Sequence, residues 1–340
     1  MRSYFIIFFS VFSIFSAHSQ SNQEITSFVS AAQSDINTIG AEYFNPLFKS
    51  VQLSMSEGWV QSAKPHKKFG FNFTFFGSAI NIPKANRSFV VPDLNIITPT
   101  QSESSTFFGG ESSNVYNINY LTEDENISLS SSFIAPEGLD EILVYDRLII
   151  PNFQFSTALF FKTDLMIRLT PELNIQGAKF KSFGGGLKHS LTQHAGFLKT
   201  LPFEFSSVIS FTKINASYNL DKVSNIDGDN QKIILDAKNI SAGLIFSKSF
   251  KILDLYASIL FSQSSSSLSI NGSYLFSYDS SSETENAEYT LNNPFTFSSD
   301  LNYIKKNIGI VFNFPVIKLF VDYSIQNYNS INAGVSIGVL

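Results

Sequence analysis

Apolar and polar positions alternate along much of the chain. In "KFGFNFTFF" (68–76), Phe69, Phe71, Phe73 and Phe75 alternate with Gly70, Asn72 and Thr74. Successive side chains of a strand point to opposite faces, so the spacing predicts a row of phenyl rings on one side and small polar groups on the other. The pattern returns in "NFQFSTALFF" (152–161), "PFEFSSVISF" (202–211), "ILDLYASILF" (252–261), "NIGIVFNF" (307–314), "VIKLFVDYSI" (316–325) and "INAGVSIGVL" (331–340). These runs are about nine to twelve residues long, close to what a tilted strand needs to cross a bilayer. Soluble strands are more often about five or six.

Residues 22–56 follow a different period. Ile25, Phe28, Val29, Ala32, Ile36, Ile39 and Tyr43 recur at spacings of three and four, one face of a helix. Gly40 and Asn45-Pro46 predict a break, with Pro46 opening a second short helix that carries Leu47, Phe48 and Val51.

Polar, acidic stretches separate the strands: 77–150, "DKVSNIDGDNQK" (221–232) and "DSSSETENAEYTLNNP" (279–294). Thr170-Pro171-Glu172 and Phe314-Pro315 read as tight turns. Within 77–150, "FVVPDLNIIT" and "NVYNINYL" supply one or two further strand pairs. Long loops at one end and tight turns at the other mark a transmembrane antiparallel β-barrel. The expected fold is therefore all-β: about 14 strands, with 12 as the alternative, and an N-terminal helical plug.

Composition sharpens this picture. Only 15% of the residues are charged, against 36 Phe and 13 Tyr among 340; soluble domains carry roughly 25% charge. A β-sandwich would bury one apolar face and expose Lys and Glu on the other, where this chain has Ser, Asn, Gly and Thr. The net charge of −5 and the lack of a basic patch exclude a nucleic-acid partner. Arg2, the apolar run Tyr4–Phe15 and Ala17-His18-Ser19 read as an export signal over 1–19. The plug then covers 20–60 and the barrel 61–340. With no cysteine, disulfides and a lipid-modified Cys are excluded. The expected location is the bacterial outer membrane, with its lipid as partner.

The blocks "EYFNPLFKSVQLSMSEGWVQSAKPHKKFGFNFTFF" (42–76), "LIIPNFQFSTALFFKTDLMIRLTPEL" (148–173), "FGGGLKHSLTQ" (183–193) and "LPFEFS" (201–206), with the C-terminal strands, resemble a Bacteroidetes-type outer-membrane barrel family of unknown function. In outline that family is similar to the long-chain fatty acid transporters (FadL-like barrels). The resemblance implies a helical hatch lodged in the barrel mouth, with Gly58-Trp59 leading toward the first strand. It also directs attention to a solute path.

No arrangement of residues points to catalysis. His66, His189 and His194 have no accompanying carboxylate cluster, and a metal site needs three or four converging ligands. His189 and His194, five apart, would face opposite sides of a strand. Gly184-Gly185-Gly186 fits no phosphate-binding motif; in a strand such a run marks a kink, a bulge or a close backbone approach. A kink there, with Phe160 and Phe320 interrupting the polar lumen face, would open a lateral path for an apolar solute. No enzyme activity, metal or cofactor is expected, and no pattern specifies an oligomeric state. The expected function is passive transport of small hydrophobic molecules. The alternative is a structural or surface-interaction protein using its acidic outer loops.

Overall fold

The computed structural model describes residues 22–121, 128–175, 177–194, 196, 202–220, 228–278 and 287–339. The predicted export signal lies outside them.

A single helix, α1 (Asn22–Ser54), opens the described chain. The strands follow in order. β1 (Phe71–Asn81) leads into five short ones: β2 (Ser88–Val90), β3 (Ile97–Pro99), β4 (Glu103–Ser105), β5 (Val115–Leu121) and β6 (Ser128–Ile134). Next come β7 (Arg147–Ala158), β8 (Thr163–Ile175), β9 (Ala178–Ser190), β10 (Glu204–Asn219), β11 (Lys232–Ser249) and β12 (Leu253–Asn271). A hairpin, β13 (Ser273–Tyr278) and β14 (Ala287–Asn292), precedes β15 (Phe295–Asn313), β16 (Ile317–Ile325) and β17 (Ser330–Val339). Ten of these strands close into an antiparallel barrel in the order β1-β17-β16-β15-β12-β11-β10-β9-β8-β7.

The expected 14 or 12 strands are therefore too many. Two causes account for it. Several barrel strands run 16 to 19 residues, so each takes up more sequence than a minimal span. In addition, β2–β6 and the β13–β14 hairpin alternate like barrel strands but pair only among themselves. The loop expected over 77–150 is thus shorter, beginning after Asn81, and folds into two small sheets. Of the other two expected loops, residues 221–227 and 279–286 lie outside the described residues. Lys232 and Ala287–Asn292 are already strand.

β1 closes the ring, with Phe73 opposite Ile337 on β17 and Phe155 on β7. Phe71, Phe73 and Phe75 point outward and Asn72 and Thr74 inward, as the alternation predicts. Phe69 precedes the strand at positive φ and belongs to the turn end. The outward rings pack across strands, Phe73 to Phe155 at 5.0 Å and Phe75 to Phe153 at 4.9 Å between centroids.

Outward apolar residues are not confined to one side of the ring. Ile149, Leu169, Phe183, Phe211, Ile240, Phe261, Ile308, Leu319 and Ile337 extend the exposed set from β1 to the nine other barrel strands. On β11 the outward row changes from Lys238 to Ile240 and back to Lys248 after Phe246. The apolar stretch Ile240–Phe246 spans about 20 Å at roughly 3.3 Å per residue. On β12 the order inverts above Phe261: Gln263 becomes the outward residue, and Leu268 and Ile270 turn inward. The barrel thus has an apolar outer band near its turn end and a conventional apolar interior near its loop end.

That interior is filled by α1. Ile36, Ile39, Tyr43, Phe44, Phe48 and Val51 pack against Phe297, Tyr303, Leu235 and Leu268 of the wall and against Ile97 of β3 and Phe107 of the turn after β4. The predicted break at Gly40 and Pro46 does not occur; the helix continues through both. A mid-helix Pro loses one hydrogen bond and costs about 3 kcal/mol, which Phe44 and Phe48, both buried on either side of it, offset by packing. Gly40 is required by the Phe297 ring, whose Cε1 lies 2.3 Å from where a Cβ would stand.

The helix is also fastened to the cap. The Asp35 carboxylate, buried, accepts from the backbone amides of Asn95, Ile96 and Ile97 at 2.8–3.0 Å. Tyr43 Oη donates to Glu137 O at 2.7 Å. Burial foremost, then the Glu137 charge, pushes its pKa far above the ordinary phenol range, so the hydroxyl remains a donor. The helix meets the loop end where Gln33 Nε2 donates to Pro294 O at 2.6 Å, and the chain leaves at the turn end through Gly70, whose carbonyl accepts from Ala158 N. Residues 33–70 therefore run from the loop end to the turn end of the lumen.

Phe48, 1% exposed, is at the centre of this packing. Phe48→Ala should destabilise the folded protein by about 3–5 kcal/mol, read as a lowered denaturation midpoint in detergent micelles. An unchanged midpoint would show that α1 does not bear on barrel stability.

Candidate functional site: the polar waist and the basic mouth of the lumen

Below α1 the chain narrows to Ser56-Glu57-Gly58-Trp59, whose side chains go to opposite walls. Gly58 makes the turn, at φ +59. The Phe76 ring stands 2.2 Å from its would-be Cβ, so any side chain meets both strain and a clash.

Glu57 reaches β15, β16, β17 and the connection before β17. Its Oε1 accepts from Gln326 Nε2 and Ser330 Oγ, each at 2.7 Å. Its Oε2 accepts from Asn332 Nδ2 at 2.7 Å, Ser324 Oγ at 2.8 Å and Lys305 Nζ at 3.4 Å. Lys305 Nζ also donates to Ser56 O. A second carboxylate, Asp322, accepts from Tyr256 Oη at 2.6 Å, Asn307 Nδ2 at 2.7 Å and Asn332 Nδ2 at 2.6 Å. All these side chains except the half-buried Gln326 are buried.

Trp59 goes the other way. Its Nε1 donates to Met55 O at 3.1 Å, and the Arg168 guanidinium of β8 stacks 4.1 Å from its ring and 5.1 Å from Phe76. Arg168 Nη2 donates to Glu57 O at 2.8 Å and Gln154 Oε1 at 3.1 Å. Two buried cations thus balance two buried carboxylates. Such a set contributes little to net stability while intact, but loss of one member leaves a charge unpaired at about 3–5 kcal/mol.

The glycine run belongs to this seat. Gly184 and Gly186 face the lumen, and a Cβ at either would lie 3.1–3.2 Å from the Trp59 indole as well as against backbone of β10. Gly185 faces outward with nothing within 4 Å of its Cβ position. The expected kink is absent: β9 pairs with β8 and with β10 through all three glycines without a register shift. The irregularity lies instead between Thr170 and Leu173, where a tight turn was expected within what is one continuous strand, β8. A bulge absorbs Pro171, which has no N–H to offer the ladder.

Phe320 is buried in the lumen, as expected, with Phe76 at 6.0 Å. Phe160 is not: β7 ends at Ala158, and Phe160 and Phe161 form the exposed β7–β8 turn, with Phe161 and Lys162 at positive φ. Parity along a strand gives a residue's face only while the strand lasts.

Toward the turn end the lumen opens into a cavity of about 260 Å³. Asp164 accepts from His66 N at 3.1 Å, from His66 Nδ1 at 2.9 Å and from Lys188 Nζ at 2.9 Å. Lys188 Nζ also donates to Ser62 O at 3.0 Å and Lys64 O at 2.9 Å, fixing the exit segment. His189 and His194, expected on opposite faces, meet with Nε2 atoms 2.7 Å apart, because the strand ends at Ser190 and the chain turns back. Among the described residues no three His, Cys, Asp or Glu groups converge on a metal position.

A family model matches residues 1–339, and its description is a family of unknown function (DUF6588). The chain belongs to this family. No curated protein matches it. Solved structures with partial likeness include Ail, the attachment invasion locus protein of Yersinia pestis, with 7% identity over 80% of this chain and 99% of that one, at TM-score 0.28. The translocator domain of the autotransporter NalP from Neisseria meningitidis shares 8% over 93% and 98%, at TM-score 0.30. The P. putida toluene transporter TodX shares 8% over 79% and 90%, at TM-score 0.24. The scores are low, and these likenesses define no activity for this member of the DUF6588 family.

Sequence reasoning singled out the glycines and Gly58-Trp59 but missed Glu57, Arg168 and Lys305. For Arg168 and Lys305 the signal was a charged residue at an inward position of a strand; Glu57 lies between α1 and β1 and carried no such signal. Trp59 is the single tryptophan, so its fluorescence reports on this seat. Gly184→Leu should expel the indole, shifting emission to the red and raising acrylamide quenching. Gly185→Leu should leave both unchanged. Equal responses from the two variants would contradict the seat.

Proposed function

We propose that this DUF6588 member is a bacterial outer-membrane barrel, held shut by its own N-terminal helix, that passes small hydrophobic molecules when the helix yields. The observation that carries the membrane reading is the apolar outer band present on all ten barrel strands. A soluble protein rarely exposes contiguous apolar patches of more than a few hundred Å², and a closed ring satisfies its backbone groups without water.

Support for gating comes from how the plug is held. Below α1 the chain is fixed by hydrogen bonds and balanced charges to β7–β9 and β15–β17, groups that can exchange partners with water. Apolar packing alone would offer no comparable exchange. Gln33 of the helix and the longest connections meet at one end of the barrel. That arrangement also suits the alternative, a surface-interaction protein, because the connections after β1 are built into sheets anchored on Asp35.

Phe73, 60% exposed on the outer wall, gives the direct check on insertion. Phe73→Arg should lower the stability of the vesicle-inserted barrel by about 2–4 kcal/mol if it lies near the midplane; no change in folding yield would count against insertion. For transport, Glu57→Gln leaves Lys305 facing a neutral group and should raise single-channel conductance and hydrocarbon uptake several-fold over the parent protein. Identical, null traces from both, with no uptake defect in a deletion strain, would leave the surface-interaction role instead.

A further inference from the structure

We propose that the turn-end mouth of the lumen is a binding site for a small organic anion with an apolar body, such as an arylalkanoate. This goes beyond passage through the barrel and stands on the mouth alone.

Charge is the first argument. Five lysines line the cavity (Lys64, Lys67, Lys188, Lys251 and Lys318) against two aspartates, an excess of three positive charges in a chain whose net charge is −5. Asp164 is already engaged by His66 and Lys188. Asp254 alone is left to oppose Lys318, which also faces Lys188 and Lys64. The ammonium groups of Lys64, Lys67, Lys251 and Lys318 have no ion pair or hydrogen bond among the described residues. Gathering like charges at one mouth is unfavourable in itself, and an anion placed among them relieves it.

Shape and polarity supply the second argument. The floor is apolar: Trp59, Met166, Val311 and Phe320 line the cavity and belong to one buried cluster. Inorganic phosphate would satisfy the lysines and waste that floor; a neutral hydrocarbon would do the reverse. At about 260 Å³ the cavity lies just under the usual ligand range of about 300 to 1,000 Å³, which limits the occupant to a small molecule. His66, its side chain 7% exposed, keeps Nε2 without a partner while Asp164 holds Nδ1, a further polar group at the wall.

Trp59 fluorescence in the detergent-solubilised mature protein supplies the readout. We expect 3-phenylpropionate to give a saturable change, while 3-phenylpropanamide, 3-phenylpropylamine and inorganic phosphate each bind at least tenfold more weakly. Raising salt should weaken the binding. Lys64→Met combined with Lys318→Met should weaken it at least tenfold, with Lys251→Met, on an exposed turn, giving a smaller loss in the same direction. Lys179→Met, at the loop end, should have no effect. Retained heat-modifiable migration certifies folding, and the Lys251 variant tests the charge argument should the double variant fail to fold. An amide binding as tightly as the acid, phosphate binding as tightly, or no saturable response at all would each overturn the assignment. A null result here leaves the membrane reading standing, because insertion is measured separately in vesicles.

Discussion

A ring of ten strands encloses more room than its own inward side chains fill. Barrels of about eight strands pack their interior with side chains; wider ones hold a ligand, water or a plug. Here the filling is the chain's own N-terminal segment, and the rest of the structure follows from what that segment must satisfy. Where the wall offers Phe297, Leu235 and Leu268, the segment is an apolar helix. Where the wall offers Ser324, Asn332 and Lys305, it presents Glu57. Inside and outside are therefore specified independently, by alternate residues of the same strands.

The waist shows why a few positions tolerate nothing else. Gly58 is squeezed between a positive φ and Phe76, and that turn sends Glu57 and Trp59 to different walls. The indole then fits only because Gly184 and Gly186 present no side chains, while Arg168 stacks on it and donates to Glu57 O. Each element of this lock is supplied by a different stretch of sequence, and each is costly to remove because the remainder is buried.

Much of the fold was legible in the alternation itself. Apolar residues every second position reveal two-faced strands, and the outward rows at Phe71–Phe75 and Leu255–Phe261 fall where the pattern puts them. Strand number was not legible, because β5, β6, β13 and β14 carry the same local pattern and differ only in their long-range partners. Helix continuity through Pro46 was hidden for a related reason: local propensity favours a break, and packing at Phe44 and Phe48 overrides it. The glycine run was legible as a place where something approaches closely. That the visitor is Trp59, more than a hundred residues earlier, is a tertiary fact. The buried charges were least legible of all, since a lone Glu or Lys acquires meaning only from partners on other strands.

If the ring's outer rows meet acyl chains while its lumen is sealed around the plug, brominated lipid should reach one and not the other. The native protein and a Trp59→Phe/Phe73→Trp variant are reconstituted in vesicles whose acyl chains carry bromine. Strong quenching of the outward tryptophan and almost none of the native Trp59 are expected. Equal quenching of the two, or none of either, would contradict that arrangement.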